Sequence, residues 1–361
     1  MKVRPSFGSP GAPVPDPASP TLHRPHADLE APASSEEHSP RRRVLLFFID
    51  GIGVGEDDPE VNLLATGDYP TLHLTRGHTP RARAADPVLA RGLDASLGVP
   101  GLPQSATGQT AILTGVNAPR ILGRHLSGFP GPTLRPVLEH ASILKRVRQA
   151  GREASFLNAF GPRFFETEET KRRLSATTLA TMASGARFRT WKDLLEGRAV
   201  VHDLTHWRMR EWGYDLPLRS PEEAGAIIAD ESRSQDFALF EYFETDRAGH
   251  DRDRARAARC LADLDLALQT LLSRVDLGET TVIVASDHGN LEDSREKTHT
   301  TNPAFFAMWG SFRPEWEPER LTDLAPLAWE AMGLPANERP DGTYEPGENP
   351  AREEDEATGD A

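Results

Sequence analysis

Three apolar runs limit what this chain can fold into: VLLFFID (44–50), FALFEYF (237–243) and TTVIVAS (280–286). They do not alternate apolar with polar residues, and they are rich in aromatic and β-branched side chains. Runs of that kind are strands buried on both faces, the habit of a parallel sheet covered by helices. Each run also leads directly into ionisable residues. Asp50 ends the first, Asp246 and His250 follow the second in TDRAGH, and Asp287 and His288 follow the third in SDHGN. In open α/β sheets, ligand sites lie at the carboxyl ends of the strands.

Helical patterns separate the runs. The sequence predicts helices over 107–115, closed by Gly115, over 134–150, closed by Gly151, over 252–274 and over 321–332. A further strand is predicted over 304–309. This alternation implies an α/β fold with a doubly wound, mostly parallel sheet. The expected core is discontinuous, 43–115 and 235–335. The stretch 116–234 is rich in Gly and Pro at its start and reads as an inserted cap or substrate region. Residues 1–42 lack periodicity and read as a disordered extension, and 336–361 as an acidic disordered tail.

Composition excludes several classes. A net charge of −14 argues against a nucleic-acid surface, which needs clustered Lys and Arg. It leaves phosphorylated substrates open, because bound cations invert the local sign. The one cysteine, Cys260, rules out an intrachain disulfide and reads as a buried apolar residue in a helix. No run approaches the roughly 18–20 apolar residues of a membrane span. The expected setting is the cytoplasm, with the chain a monomer or small homo-oligomer.

The chemistry concentrates in few residues. Asp50, Asp246, His250, Asp287, His288 and His299, the last in KTHTTNP, offer carboxylate and imidazole without thiolate. That donor set suits Mn²⁺, Zn²⁺, Mg²⁺ or Fe²⁺. Asp246 and His250 are four apart and share a face if their turn is helical. Six donors exceed one ion and suit a pair, which can hold both oxygens of a displacement at phosphorus. Ser105, in PQSATGQT, enters a helix at its N-terminus, where unpaired N–H groups favour an anion. A metal-bound Ser is a nucleophile; Thr107 is the rival, and a plain helix cap the alternative role for Ser105.

These segments, in this order, resemble the alkaline phosphatase superfamily, in particular its cofactor-independent phosphoglycerate mutase and phosphopentomutase branch. FIDGIG is similar to the first metal-binding strand end, SATGQ to the nucleophile loop, DRAGH to D-x-x-G-H, and SDHGN and THTTNP to the last ligand segments. The resemblance selects Ser105 over Thr107. It implies one ion on Asp246, His250 and His299, a second on Asp50, Ser105, Asp287 and His288, and a phosphoserine intermediate. Mn²⁺ or Zn²⁺ is the expected metal. The implied enzyme is a metal-dependent phosphomutase or phosphomonoesterase acting on a small phosphorylated metabolite. A phosphodiesterase or phosphonate hydrolase, or an inactive metal-binding regulatory protein, are the alternatives. Arg120, Arg124, His125, Arg135 and Arg163 are candidates for a phosphate clamp.

Overall fold

The computed structural model describes residues 41–166 and 173–340, with Gly342 and Tyr344. The expected extension over 1–42 and tail over 336–361 lie almost wholly outside the described residues. Among the described residues there are eight strands: β1 (Arg43–Ile49), β2 (Leu89–Leu93), β3 (Ala154–Phe156), β4 (Ala159–Phe160), β5 (Arg189–Thr190), β6 (Phe237–Tyr242), β7 (Thr280–Ser286) and β8 (Ala304–Trp309). Six of them form one sheet in the order β2-β8-β7-β1-β6-β3. The central strand β1 pairs in parallel with β6 on one side and β7 on the other, and β3 continues the parallel set. Strand β8 runs antiparallel to both β7 and β2. The sheet is therefore mostly parallel, as the apolar runs required.

Alternate β1 residues go to opposite layers. Leu45, Phe47 and Ile49 join a cluster with Leu261, Leu264, Leu268 and Ile228 from the Arg254–Arg274 and Pro221–Ser232 helices. Val44, Leu46 and Phe48 join another with Ile112, Leu138, Leu144, Leu179 and Leu327 from five helices on the opposite face. At about 25 cal/mol per Å² of apolar surface removed from water, these two layers hold the sheet rigid beneath its loops. Cys260 is buried in the first layer.

Two helices differ from expectation. The segment 134–150 is two helices, Leu134–Ala141 and Ile143–Gln149, broken at Ser142, whose backbone is extended (φ −62°, ψ 138°). The break lets Leu138, Ile143, Leu144 and Val147 all face the core. The long helix expected from 252 begins at Arg254, because Arg252 is left-handed and the Asp253 carboxylate caps the Ala255 and Arg256 amides.

The cap drawn over 116–234 is also narrower than expected. That stretch supplies β3 to the sheet edge, three helices to one face and Pro221–Ser232 to the other. What stands apart is the β4–β5 pair with a small apolar cluster of Leu194, Val201, Met209 and Leu216. The Gly/Pro-rich opening of the stretch concealed how soon the core resumes. Among the described residues no helix is long and apolar enough to cross a membrane.

Candidate metal centre

Three adjacent parallel strands end side by side, and their next residues meet. Asp50 follows β1, Asp287 and His288 follow β7, and Asp246 and His250 lie on the Glu244–Asp251 helix just after β6. The helical reading of TDRAGH holds, so the spacing of four places both side chains on one face. His299 returns from the loop after β7, its Nδ1 2.8 Å from the Pro103 carbonyl. Ser105 opens the Ser105–Thr114 helix.

Two donor groups form. In one, His288 Nε2 lies 3.2 Å from Asp50 Oδ1, 3.5 Å from Asp287 Oδ2 and 3.1 Å from Ser105 Oγ. In the other, Asp246 lies 3.4 Å from both His250 Nε2 and His299 Nε2, and those two nitrogens are 3.2 Å apart. The His288 and His299 rings stack at 3.7 Å and join the groups. Every residue expected as a metal ligand is thus brought together. Thr107 is turned away, its hydroxyl donating to the Gln104 carbonyl.

The arrangement fits divalent cations. Asp50 Oδ1 and Asp287 Oδ2 are buried and accept no aligned hydrogen bond, sharing the single His288 Nε2 at 3.2 and 3.5 Å, which in an apolar setting is costly. Burial, with Asp246 nearby, pushes the Asp50 carboxyl up. Burial and then Asp50 push Asp287 well up. Burial opposes charge on His288, but Asp287 and Asp50 outweigh it and carry the ring up to about 10. On the outer side, burial of Asp246 is overcome by its bonds to His250 and His299, which hold it well below the usual carboxylate range. Asp246 in turn lifts His250 to about 9. Protons here do the work that cations would do better: like-charged oxygens and facing ring nitrogens both need positive charge between them.

Neighbouring residues hold the geometry. Gly51 has φ +76°, and a Cβ there would lie 2.8 Å from Asp246. A Cβ at Gly108 would lie 2.9 Å from the Asp287 Cβ and carbonyl, so only glycine lets the Ser105–Thr114 helix approach that closely. Buried Glu292 accepts from the Gly53 and Asn290 amides and the Asn302 side chain, tying β1's exit to the ligand loop. Asn290 donates to Asp246 Oδ1, and Gln109 to Asp50 Oδ2.

A cleft of about 530 Å³ opens over the centre, lined by Ser105, Gln104, Gln109, Glu241, Arg247 and Phe129 among others. Burial pushes the Glu241 carboxyl up to about 7; its oxygen accepts from Thr177 at 2.6 Å. None of Arg120, Arg124, His125 or Arg163 lines this cleft. Arg120 and Arg124 are exposed, His125 sits 3.2 Å from the Val99 carbonyl, and Arg163 lines a neighbouring pocket. Arg135 is half-buried on the Leu134–Ala141 helix and is likewise absent from the cleft lining. The arginine at the cleft is Arg247. Sequence reading missed it, although it stands one residue after Asp246 on the metal-bearing helix. Glu241, Gln109 and Glu292 were missed because nothing local marks a buried polar partner.

Residues 216–336 match the Metalloenzyme superfamily. That span contains Asp246, His250, Asp287, His288 and His299, and leaves Asp50 and Ser105 outside it. The chain is 29% identical over 135 residues to the 2,3-bisphosphoglycerate-independent phosphoglycerate mutase of Cereibacter sphaeroides, covering 35% of this chain and 27% of that protein. It is 28% identical over 130 residues to the enzyme of the same name from Wolinella succinogenes, covering 34% and 26%. The chain spans about a quarter of the length of these curated relatives. The PH0037 protein from Pyrococcus horikoshii shares the fold, with a TM-score of 0.50 at 15% identity, covering 85% of this chain and 99% of that one. The metalloenzyme match and the paired donor groups agree in pointing to divalent metal ions.

Proposed function

We propose that the protein is a two-metal phosphoryl-transfer enzyme acting on a small phosphomonoester, with Ser105 as nucleophile and Mn²⁺ or Zn²⁺ as the metal. The observation that carries this reading is the position of Ser105. Its Oγ stands 3.1 Å from His288 Nε2, at the start of a helix and on the floor of an open cleft. Asp246, His250 and His299 would hold one ion, and Asp50, Asp287, His288 and Ser105 the other. When bound, the pair supplies positive charge for the phosphoryl oxygens and lowers the hydroxyl pKa. The chain's own residues do the rest. Ser105 Oγ gives up its proton to solvent and forms the bond to phosphorus as the ester oxygen leaves with the electron pair and takes a proton from water in the open cleft. In the first helical turn the Ala106 and Gly108 amides already donate to the Leu126 and Gln104 carbonyls, which leaves those of Ser105 and Thr107 to receive phosphoryl oxygens. Gln109 steadies Asp50, and Arg247 stands at the rim to meet remaining negative charge.

Water is the favoured acceptor in the second half. The His250 side chain is 44% exposed, so the cleft is open to solvent, where a mutase must keep water from its phosphoenzyme. A phosphatase is therefore the better reading than a mutase.

The test is intact mass spectrometry of the metal-loaded protein after brief exposure to a phosphomonoester. A mass gain of one phosphoryl group, mapped to Ser105 and absent in Ser105→Ala, is expected. Full turnover by Ser105→Ala removes the covalent step. Diester and phosphonate substrates in the same panel separate the phosphodiesterase alternative.

A further inference from the structure

Beside the metal cleft lies a second cavity of about 300 Å³, within the range of small-molecule sites. The two share Ser175, Glu241 and Phe243 as lining, so a ligand can occupy both at once. The second cavity has aromatic walls. On one side Phe160 and Phe164 pack at 4.3 Å between ring centroids. On the other, His202 stacks on Phe243 at 4.0 Å and 8° between planes, with Trp212 5.4 Å from His202. Arg247, which lines the metal cleft, stands over both Phe243 and Trp212, at 4.9 and 5.1 Å. The phosphoryl-binding face and the aromatic wall are therefore joined through one guanidinium.

We propose that this cavity seats the leaving alcohol of the substrate and that this alcohol carries a planar aromatic ring, a nucleobase or an aryl group. The proposal rests on the phosphoryl-transfer reading above. Stacked and edge-on rings attract a flat π-system and offer little to a charged or heavily hydroxylated chain. Arg163, Asn158, Ser175 and Thr178 also line the cavity and would meet polar groups carried by the ring or its sugar, so the choice of a ring rests on the aromatic walls and not on an absence of polar partners. A ring held there extends from an ester oxygen at Ser105 past Phe243, with Arg247 bracing the join. Part of the ring wall is exposed: Trp212 is 47% accessible, as befits a surface waiting for a partner.

The test compares esters with matched leaving oxygens on the full metal-loaded chain. One arm sets adenosine 5′-phosphate against ribose 5-phosphate, and the other sets benzyl phosphate against cyclohexylmethyl phosphate. The ring-bearing ester of at least one pair is expected to have a kcat/KM roughly tenfold or more higher, the size of one base–aromatic stack. The arm that responds identifies nucleobase or aryl. Trp212→Ala should shrink that ratio several-fold. Gly161→Leu should do so as well. Gly161 lines the cavity, and a Cβ there meets only ordinary contacts, 3.7 Å to Tyr214 Oη and 3.8 Å to Trp191, so a side chain can start there without displacing the backbone. Equal turnover within both pairs overturns the proposal and leaves phosphoryl transfer standing. If no ester is turned over, ligand-observed NMR with adenosine and benzyl alcohol decides. Binding lost in Gly161→Leu supports the ring site and sinks the phosphoryl-transfer reading; no binding sinks the ring site too.

Discussion

Asp50, Asp287 and His288 lie beneath the ends of β1 and β7, all nearly or wholly buried, while the group of Asp246, His250 and His299 reaches solvent through His250, whose side chain is 44% exposed, His299 being buried. The inner group is short of positive charge, with two carboxylate oxygens that accept no aligned hydrogen bond and share one imidazole. The outer group balances itself, one carboxylate between two imidazoles. The inner group is thus strained without a cation and the outer one is content with protons. An inner ion would be bound tightly and exchange slowly; an outer one would exchange with solvent and compete with protons.

Removing an inner ligand should have the largest effect. Asp287→Asn is expected to lower phosphatase kcat/KM by about 10³-fold or more and remove one metal equivalent by elemental analysis, since a ligand loss exceeds the 10–100-fold typical of supporting residues. The same substitution should raise the melting temperature of the metal-free protein, because a crowded buried carboxylate costs about 1–3 kcal/mol. A fall in metal-free stability would show that the inner group needs no cation. His250→Ala should cost less, about 10²-fold, and should lower metal-free stability at neutral pH by no more than about 1 kcal/mol, through loss of the partly exposed pair with Asp246. Equal effects at Asp287 and His250 would erase the distinction between the groups.

Chelation sharpens the same contrast. Metal release to excess EDTA, followed by a dye, should be biphasic, with one equivalent leaving at least tenfold faster. His250→Ala should speed the fast phase and leave the slow one. A single phase for both ions would mean that burial does not control exchange.

Asp50, Asp246, Asp287 and His288 were legible as candidate ligands because each closely follows a strand whose apolar run announces it, whereas His299 stands in a loop and Ser105 at a helix start. β1, β6 and β7 are buried on both faces, so their runs are unbroken and the residue that breaks each run is conspicuous. Glu241 is the instructive failure. It lies inside β6, where alternation alone would call it a solvent-facing residue, yet the helix Ala176–Ser184 covers that face and Thr177 meets it. Likewise β3 is three residues long, too short to leave a periodicity, so the sheet edge was read as part of the inserted region 116–234. Phosphate-clamp candidates were sought among the arginines of that region, by composition. The one at the cleft, Arg247, is placed by helix geometry from Asp246.

The smallest expected effect tests how the nucleophile is coupled to the inner group. Gly108 packs against the backbone of Asp287, and the clash an added methyl would meet is with Cβ and a main-chain oxygen, neither of which can swing away. Gly108→Ala must therefore move the Ser105–Thr114 helix outward or displace Asp287. Overpacking of this kind costs about 1–3 kcal/mol, offset in part by alanine's better helix propensity of about 1 kcal/mol. If the helix moves, Ser105 draws away from His288 while both ions stay, so kcat should fall several-fold with full metal content. If Asp287 moves, the slow chelation phase should quicken instead. The first outcome ties Ser105 to the inner group by packing alone. The second makes the glycine a guard of the metal site, and the helix merely its neighbour.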